Sequence, residues 1–442
     1  MLEKSPPEMR RGGAPGGGVV LKRRTRPRIS ADTERVPMPK TTPIELSDLL
    51  GLSRLGIGAT EKVADLVEAM HSTIAETPGI FGRPRQGRAS GTTALVYESV
   101  RELTRLVGGG MDTVLAPPIS APGERPLSPE REAVLAALNG VMGDYLAATE
   151  NPLAIPMRLR RDGQRLTLEP QALAAAIPEA GSKLLVLVHG LCMNDLEWTR
   201  NGHNHGKALS LELGYTAVQL HYNTGLHVSA NGREFAALME ALVQHWPRPL
   251  RELAIVAHSI GGLVARSAYH YGKAAAHRWP RHLRRLVFLA TPHHGSHLER
   301  GGNWVNIMLG LSPYSEPLAR LVKFRSAGIT DLRYGNLLDE DWEGMDRFEP
   351  SRDLRHRVPL PRGVRCYTIA ATTGKKGGDL SGKLLGGGLV GLNSALGRHN
   401  DPRLSLSFAK SREWVGYGMN HWDLLSHPAV YKQIRNWLAS ER

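Results

Sequence analysis

From about residue 157 onward, short apolar runs alternate with segments of helical period, and this alternation narrows the choice of fold more than any other feature of the chain. The runs at 183–188, 216–222, 253–258, 283–290 and 364–370 read as buried strands, and 413–417 as a short last one. Between them, helices are expected from about 231 to 246 and from Ile260 onward. A final helix places Val430, Ile434 and Leu438 on one face. Strand–helix alternation of this kind requires right-handed crossovers and a parallel sheet. At the start, Asp162-Gly163 between 158–161 and 164–168 is a two-residue hairpin signal.

The rest of the chain divides by composition. Residues 1–40 are rich in Gly, Pro and Arg without periodicity and read as a disordered tail. They carry ten Lys or Arg against four acids, so much of the net charge of +14 sits there and the remainder carries +8. Residues 41–150 read as a helical N-terminal region. Val63, Leu66 and Met70 recur at helical spacing, as do Val96, Val100, Leu103 and Val107, with a loop at 117–126. Ser128-Pro129 opens a further helix through Leu135, Leu138, Val141 and Tyr145, with Pro at the first helical position. Residues 151–442 form the main domain, interrupted at about 300–350 by a cap-like insertion containing Trp304, Ile307, Met308 and Leu309.

No run approaches the roughly 18 apolar residues of a membrane span, and the basic amino terminus lacks the apolar stretch of a secretory signal. A cytoplasmic location is expected, with contact at a membrane or lipid surface compatible with the basic balance. No nucleic-acid motif accompanies that charge. Two cysteines, Cys192 and Cys366, are too few for a disulfide framework and read as reduced thiols.

The sharpest chemical signal is Ala257-His258-Ser259-Ile260-Gly261-Gly262, directly after an apolar strand and directly before a helix. A serine on so tight a strand-to-helix turn needs small neighbours two positions away. The turn exposes its hydroxyl above the sheet, and the helix amino terminus favours negative charge there. Val188-His189-Gly190-Leu191 ends the earlier strand where a developing oxyanion needs backbone donors. The amides of Leu191 and Ile260 are the expected pair. A base should follow the nucleophile late in the chain. Among 18 histidines, His421 in Asn420-His421-Trp422-Asp423 stands just past the last strand, with His427 as the fallback.

With these motifs in hand, the chain is similar to bacterial lipases and esterases of the α/β-hydrolase superfamily, those grouped with inositol-deacylase-like hydrolases most of all. The likeness rests on 184–191, 257–266, Leu289-Ala290-Thr291-Pro292-His293-His294-Gly295-Ser296 and 420–428, and covers roughly residues 157–440. Tyr222-Asn223-Thr224-Gly225, Asn231-Gly232 and 325–333 are further shared marks, and the helical region at 41–150 resembles an extension some relatives carry. The resemblance implies an α/β-hydrolase fold with a mostly parallel sheet, a helical N-terminal extension and a lid-like insertion. It implies Ser259 as nucleophile and His421 as base, acting on ester or lipid substrates without cofactor or metal.

The third triad member departs from the family pattern. Relatives carry an Asp in a turn of the form Leu-Gly-Asp-Gly-Leu-Val-Pro. Here Leu385-Gly386-Gly387-Gly388-Leu389-Val390-Gly391 has Gly387 at the acid's place and Gly391 at the proline's. That acid fixes the imidazole tautomer, and exchanging it for an amide in a serine protease costs about 10⁴ in kcat. Three readings follow. Asp379 substitutes as the acid, with Asp401 as a weaker candidate. The site is a dyad of reduced activity. Or catalysis is lost and a lipid- or partner-binding role remains. Asp423, two residues from His421, is a poor replacement.

Other signals are set aside. The glycines at 386–391 do not open a helix after a strand, and 377–383 has Leu384 where a phosphate loop needs Ser or Thr. His203, His205, His293 and His294 lack the carboxylate or cysteine help that a metal site requires and read as hydrogen-bonded loop histidines. His258 belongs to the packing of the elbow. The expected function is carboxylic ester hydrolysis through an acyl-enzyme on Ser259.

Overall fold

The computed structural model describes residues 129–296, 325–345, 353–374 and 390–440. The basic tail, the helices around 63–70 and 96–107, the loop at 117–126, the 304–309 part of the insertion and Asp379 lie outside the described residues, as does Gly387.

The first described helix, α1 (Pro129–Ala148), starts on the expected proline. The hairpin β1 (Arg158–Arg161) and β2 (Gln164–Arg165) follows, with Asp162 and Gly163 both at positive φ, as its two-residue turn demands. The second strand ends sooner than the expected 168, with a last bond from the Leu166 amide to the Leu159 carbonyl, and the short helix α2 (Pro170–Ala176) follows. Then come β3 (Lys183–Val188), a 3₁₀ turn (Asp195–Trp198) and the small ribbon β4 (Thr199–Arg200) and β5 (His203–Asn204). Next are α3 (His205–Leu213), β6 (Thr216–His221), α4 (Val228–Gln244), β7 (Glu252–His258), α5 (Ile260–Ala274) and β8 (Leu283–Leu289). After the insertion follow α6 (Ala327–Asp331), β9 (Arg365–Thr372), α7 (Leu392–Ala395), β10 (Glu413–Tyr417) and α8 (Pro428–Ala439).

Among the described residues, eight strands form one sheet in the order β10-β9-β8-β7-β3-β6-β1-β2. The six from β6 to β10 pair in parallel, and β1 runs antiparallel to both β2 and β6. The central strands are buried on both faces, which is why they read as continuous apolar runs rather than alternating ones. The sheet, its flanking helices and the serine turn leaving β7 together make an α/β-hydrolase fold. Helix α4 begins three residues before the expected 231, because the Asp331 carboxylate of α6 accepts the Val228 amide at 2.8 Å. A cap supplied from a hundred residues away leaves no local signal.

Helix α1 shares the core with the sheet: Val134, Ala137, Leu138, Val141, Met142 and Leu146 are buried in the same cluster as β3 and β7. Both cysteines are free thiols, Cys366 buried in β9 and Cys192 partly buried. Among the described residues no helix is long and apolar enough to cross a membrane.

Candidate active site

Parallel strands place their carboxyl ends on one edge of the sheet, and the loops leaving those ends gather the candidate residues there. Ser259 follows β7 in the middle of the sheet with φ 55° and ψ −128°. A non-glycine residue in that region is strained, and such strain persists only where its surroundings over-determine it. Here the Ser259 amide donates to the Leu289 carbonyl at 2.8 Å, and its own carbonyl accepts from the Gly262 amide at 3.0 Å. The two glycines behind it are steric necessities. A Cβ at 261 would stand 2.4 Å from the His189 carbonyl oxygen, and one at 262 would stand 1.9 Å from the Thr291 hydroxyl.

The loop after β3 runs beside this turn. The ideal Cβ position of Gly190 falls 3.1 Å from the Ser259 Cβ, so the His189–Leu191 backbone passes directly over the serine. Its start is clamped by Tyr222, whose hydroxyl donates to the His189 carbonyl at 2.9 Å and whose ring stacks on His189 at 4.5 Å. Burial pushes His189 down to about 3, so its ring is neutral, and its Nδ1–H donates to the Gly190 carbonyl at 3.0 Å. Neither the Leu191 nor the Ile260 amide has an acceptor among the described residues. An amide without an acceptor keeps its donor free for a ligand.

His421 lies in the loop between β10 and α8. Met419 donates its amide to the Thr372 carbonyl and Gly418 to the Gly374 carbonyl, both at 3.0 Å, which ties this loop to the end of β9. Asn420 and Asp423 close the loop upon itself. The Asn420 side chain accepts the Trp422 and Asp423 amides, and the Asp423 carboxylate accepts the Asn420 amide at 2.8 Å. Asp423 therefore shapes the loop instead of orienting the imidazole. The His421 ring is buried and stands 4.5 Å from that of His258, centroid to centroid. Burial, with the neighbouring His258, holds His421 well below the ordinary histidine range, so it is neutral and able to accept a proton. The Ser259 hydroxyl and His421 Nε2 are both buried, and no direct hydrogen bond joins them.

The remaining candidates have other partners. Asp401 is bound at 2.7 Å by the Arg403 guanidinium, which holds its carboxyl down at about 2, and it does not reach His421. His427 caps α8 by accepting the Ala429 amide at 3.1 Å, so it is not available as a base. His205 donates from Nε2 to the Leu424 carbonyl at 2.9 Å and accepts from His203 at 2.8 Å. His293 and His294 turn their Nδ1 atoms toward Arg266 and Arg355 at 3.4 and 2.9 Å. Among the described residues, no carboxylate contacts His421.

Two features escape a reading of the sequence. The first is His258, whose Nε2–H donates to the His421 carbonyl at 3.3 Å. The second is a buried ionic cluster of Glu132, Asp195 and His221, whose potential ligand atoms lie within 4.8 Å of one another. Arg160 fills the position a cation would take: its Nη1 donates to Glu132 at 2.7 Å and to Asp195 at 3.1 Å. A buried Arg in a strand is the one sequence mark of this cluster, and nothing local says which acids it meets.

Set beside known proteins, residues 155–327 match a family model described as a domain of unknown function, DUF7379. No curated protein is matched by sequence. Among solved structures, the mature form of Bacillus licheniformis lipase BlEst2 is 18% identical, with 57% of this chain and 91% of that one covered at a TM-score of 0.37. Pyrococcus furiosus esterase Pf2001 is 13% identical, over 58% of this chain and 83% of that one, at 0.34. EstA from Clostridium botulinum is 10% identical, over 59% and 87%, at 0.38.

Proposed function

We propose that this chain hydrolyses carboxylic esters, lipid esters included, through an acyl-enzyme on Ser259. The observation that carries the reading is the strained serine turn at the end of β7, with the Leu191 and Ile260 amides, which have no acceptor among the described residues, as the donors we assign to it. In the first half-reaction the Ser259 Oγ attacks the ester carbonyl and its proton passes to His421 Nε2. The carbonyl oxygen becomes an oxyanion held by the two amides, each donor contributing about 3 kcal/mol in the transition state. Collapse of the adduct breaks the bond to the alcohol, which leaves with the proton from His421. Water then attacks the acyl-enzyme, again giving its proton to His421, and the acid departs as Ser259 recovers that proton. Nothing in this sequence calls for a metal or cofactor. Asp379 is our candidate for the acid that orients His421, and the 300–350 insertion our candidate for a lid over the acyl chain. By the same reading 1–40 is a tail, 41–150 an extension and 151–442 the hydrolase domain, working in the cytoplasm or against a lipid surface.

A second reading, a hydrolase-fold protein that binds a lipid or partner without turnover, is favoured by one observation. Ser259 is 0% and His421 3% exposed, and their reacting atoms are not bonded to each other. Turnover of 4-nitrophenyl butyrate separates the two. The esterase reading expects hydrolysis by the wild type that Ser259→Ala abolishes, and the binding reading expects none from either.

A further inference from the structure

Gly190, Leu191, Cys192 and Met193 form a turn closed by the Met193 amide donating to the Gly190 carbonyl at 3.3 Å. Its third residue, Cys192, has φ 58°, the left-handed conformation that this position of a type II turn needs and that glycine or asparagine usually supplies. A cysteine there stays only if neighbours hold it. One holder is Thr224, whose hydroxyl accepts the Cys192 amide at 3.1 Å. The other is α1. Its Gly140 lies so close that a Cβ there would stand 2.3 Å from the Cys192 sulfur and 2.9 Å from its Cα.

The same helix reaches the far end of this loop through Arg160 of β1. Glu132 of α1 and Asp195 of the 3₁₀ turn share the Arg160 guanidinium of β1, and Asp195 also meets His221 Nδ1 at 2.9 Å at the end of β6. The helix is itself fixed over the loops at this edge of the sheet. The Asn223 side chain donates to the Gly143 carbonyl at 2.8 Å, and the Ser326 hydroxyl donates to the Gly140 carbonyl at 2.6 Å. The stretch that carries Leu191 is thus held by α1 directly at Cys192, by close packing, and at Asp195 through the Arg160 guanidinium that Glu132 also binds.

We propose that helix α1 positions the oxyanion donor Leu191 by clamping the 190–195 loop through Gly140 and Glu132, making both positioning residues for the reaction. This rests on the esterase reading above. A helix outside the strand–helix alternation thereby becomes part of the apparatus that stabilises the transition state, without touching substrate. The ester carbonyl of the ground state makes little use of the amide, whereas the tetrahedral oxyanion depends on it. Displacement of the loop therefore lowers kcat and leaves KM in place.

The test uses the full chain and Gly140→Ala, with 4-nitrophenyl acetate as substrate and an alkyl trifluoromethyl ketone as a tetrahedral-adduct inhibitor. The variant is expected to lose about tenfold or more in kcat at unchanged KM, up to the 10²–10³ that loss of a whole donor costs. It should lose affinity for the ketone in parallel. Val134→Ala, a buried truncation in the same helix at a position other than those that meet Cys192 and Arg160, is the stability control and should lower the melting temperature without either kinetic change. If Gly140→Ala does not fold, Glu132→Gln carries the test, with a severalfold fall in kcat at constant KM. Kinetics of Gly140→Ala equal to the wild type, or losses matched by Val134→Ala, overturn the proposal alone. A folded wild type that neither turns over the ester nor binds the ketone overturns the esterase reading and this one with it.

Discussion

The ring of His258 donates a hydrogen bond from Nε2 to the backbone carbonyl of His421 across 3.3 Å, so the residue preceding the elbow serine holds the loop of the candidate base. Burial pushes His258 down to about 4, which keeps the ring neutral and fixes its proton on the nitrogen that faces the carbonyl. On the proposed function His258 acts as a positioning residue and not as a second base. A buried hydrogen bond of this kind is worth roughly 1–3 kcal/mol when its loss strands a partner. His258→Ala is expected to lower kcat about tenfold with little change in KM, and His258→Gln, which retains an amide donor, to keep more activity. Steady-state ester kinetics on the two variants check this, and equal activities for both would argue against it.

On the proposed function, the environment of His421 sets the acid limb of activity. A general base works only when deprotonated, so the rate falls as pH drops through its pKa. Because burial holds His421 well below its ordinary 6.5, the limb in kcat/KM is expected at a midpoint below 6.5, with full activity maintained through neutral pH. A midpoint at or above 6.5 would show a carboxylate raising the imidazole, and would point to Asp379.

Stability should follow pH in the same direction. His189, His205 and His258 are held down to about 3, 4 and 4 when folded, whereas in the unfolded chain they take protons near 6.5. The unfolded state therefore binds more protons below 6.5. Each ring costs about 1.4 kcal/mol of stability per pH unit from there down to its folded value. Melting temperatures measured from pH 7 to pH 4.5 should fall steeply below 6.5, and a flat profile would contradict the buried neutral rings.

Identity of the triad acid is open to direct substitution. If Asp379 orients His421, Asp379→Asn should cost up to about 10⁴ in kcat, and Gly387→Asp should add little. If the site works as a dyad, Asp379→Asn should be silent and Gly387→Asp should raise kcat substantially. Ester turnover of the two variants, measured side by side, decides between them.

The central parallel strands were legible because they are buried on both faces, so 183–188 has the bounds its apolar run suggests; the edge strand 413–417 also has its expected bounds, although it is only partly buried. The serine turn was legible because its steric demand falls on neighbours in sequence, Gly261 and Gly262. What could not be read came from contacts between distant segments. Asp331 starts α4 early, and His258 reaches a carbonyl 163 residues away. Helix α1 showed its period but not its partner. Ala136, Ala137, Asn139, Met142 and Leu146 are buried around most of its circumference, so no single apolar stripe pointed toward the sheet.

The central claim is that Ser259 is a nucleophile activated by its turn and by His421, and covalent labelling tests it without any assumption about the substrate. The natively folded chain is treated with an alkyl fluorophosphonate, weighed intact and mapped by peptide mass. One adduct per chain, located on Ser259, absent from Ser259→Ala and formed far more slowly in His421→Ala, is the predicted result. No adduct on the folded protein, or one that persists unchanged in Ser259→Ala, would contradict it.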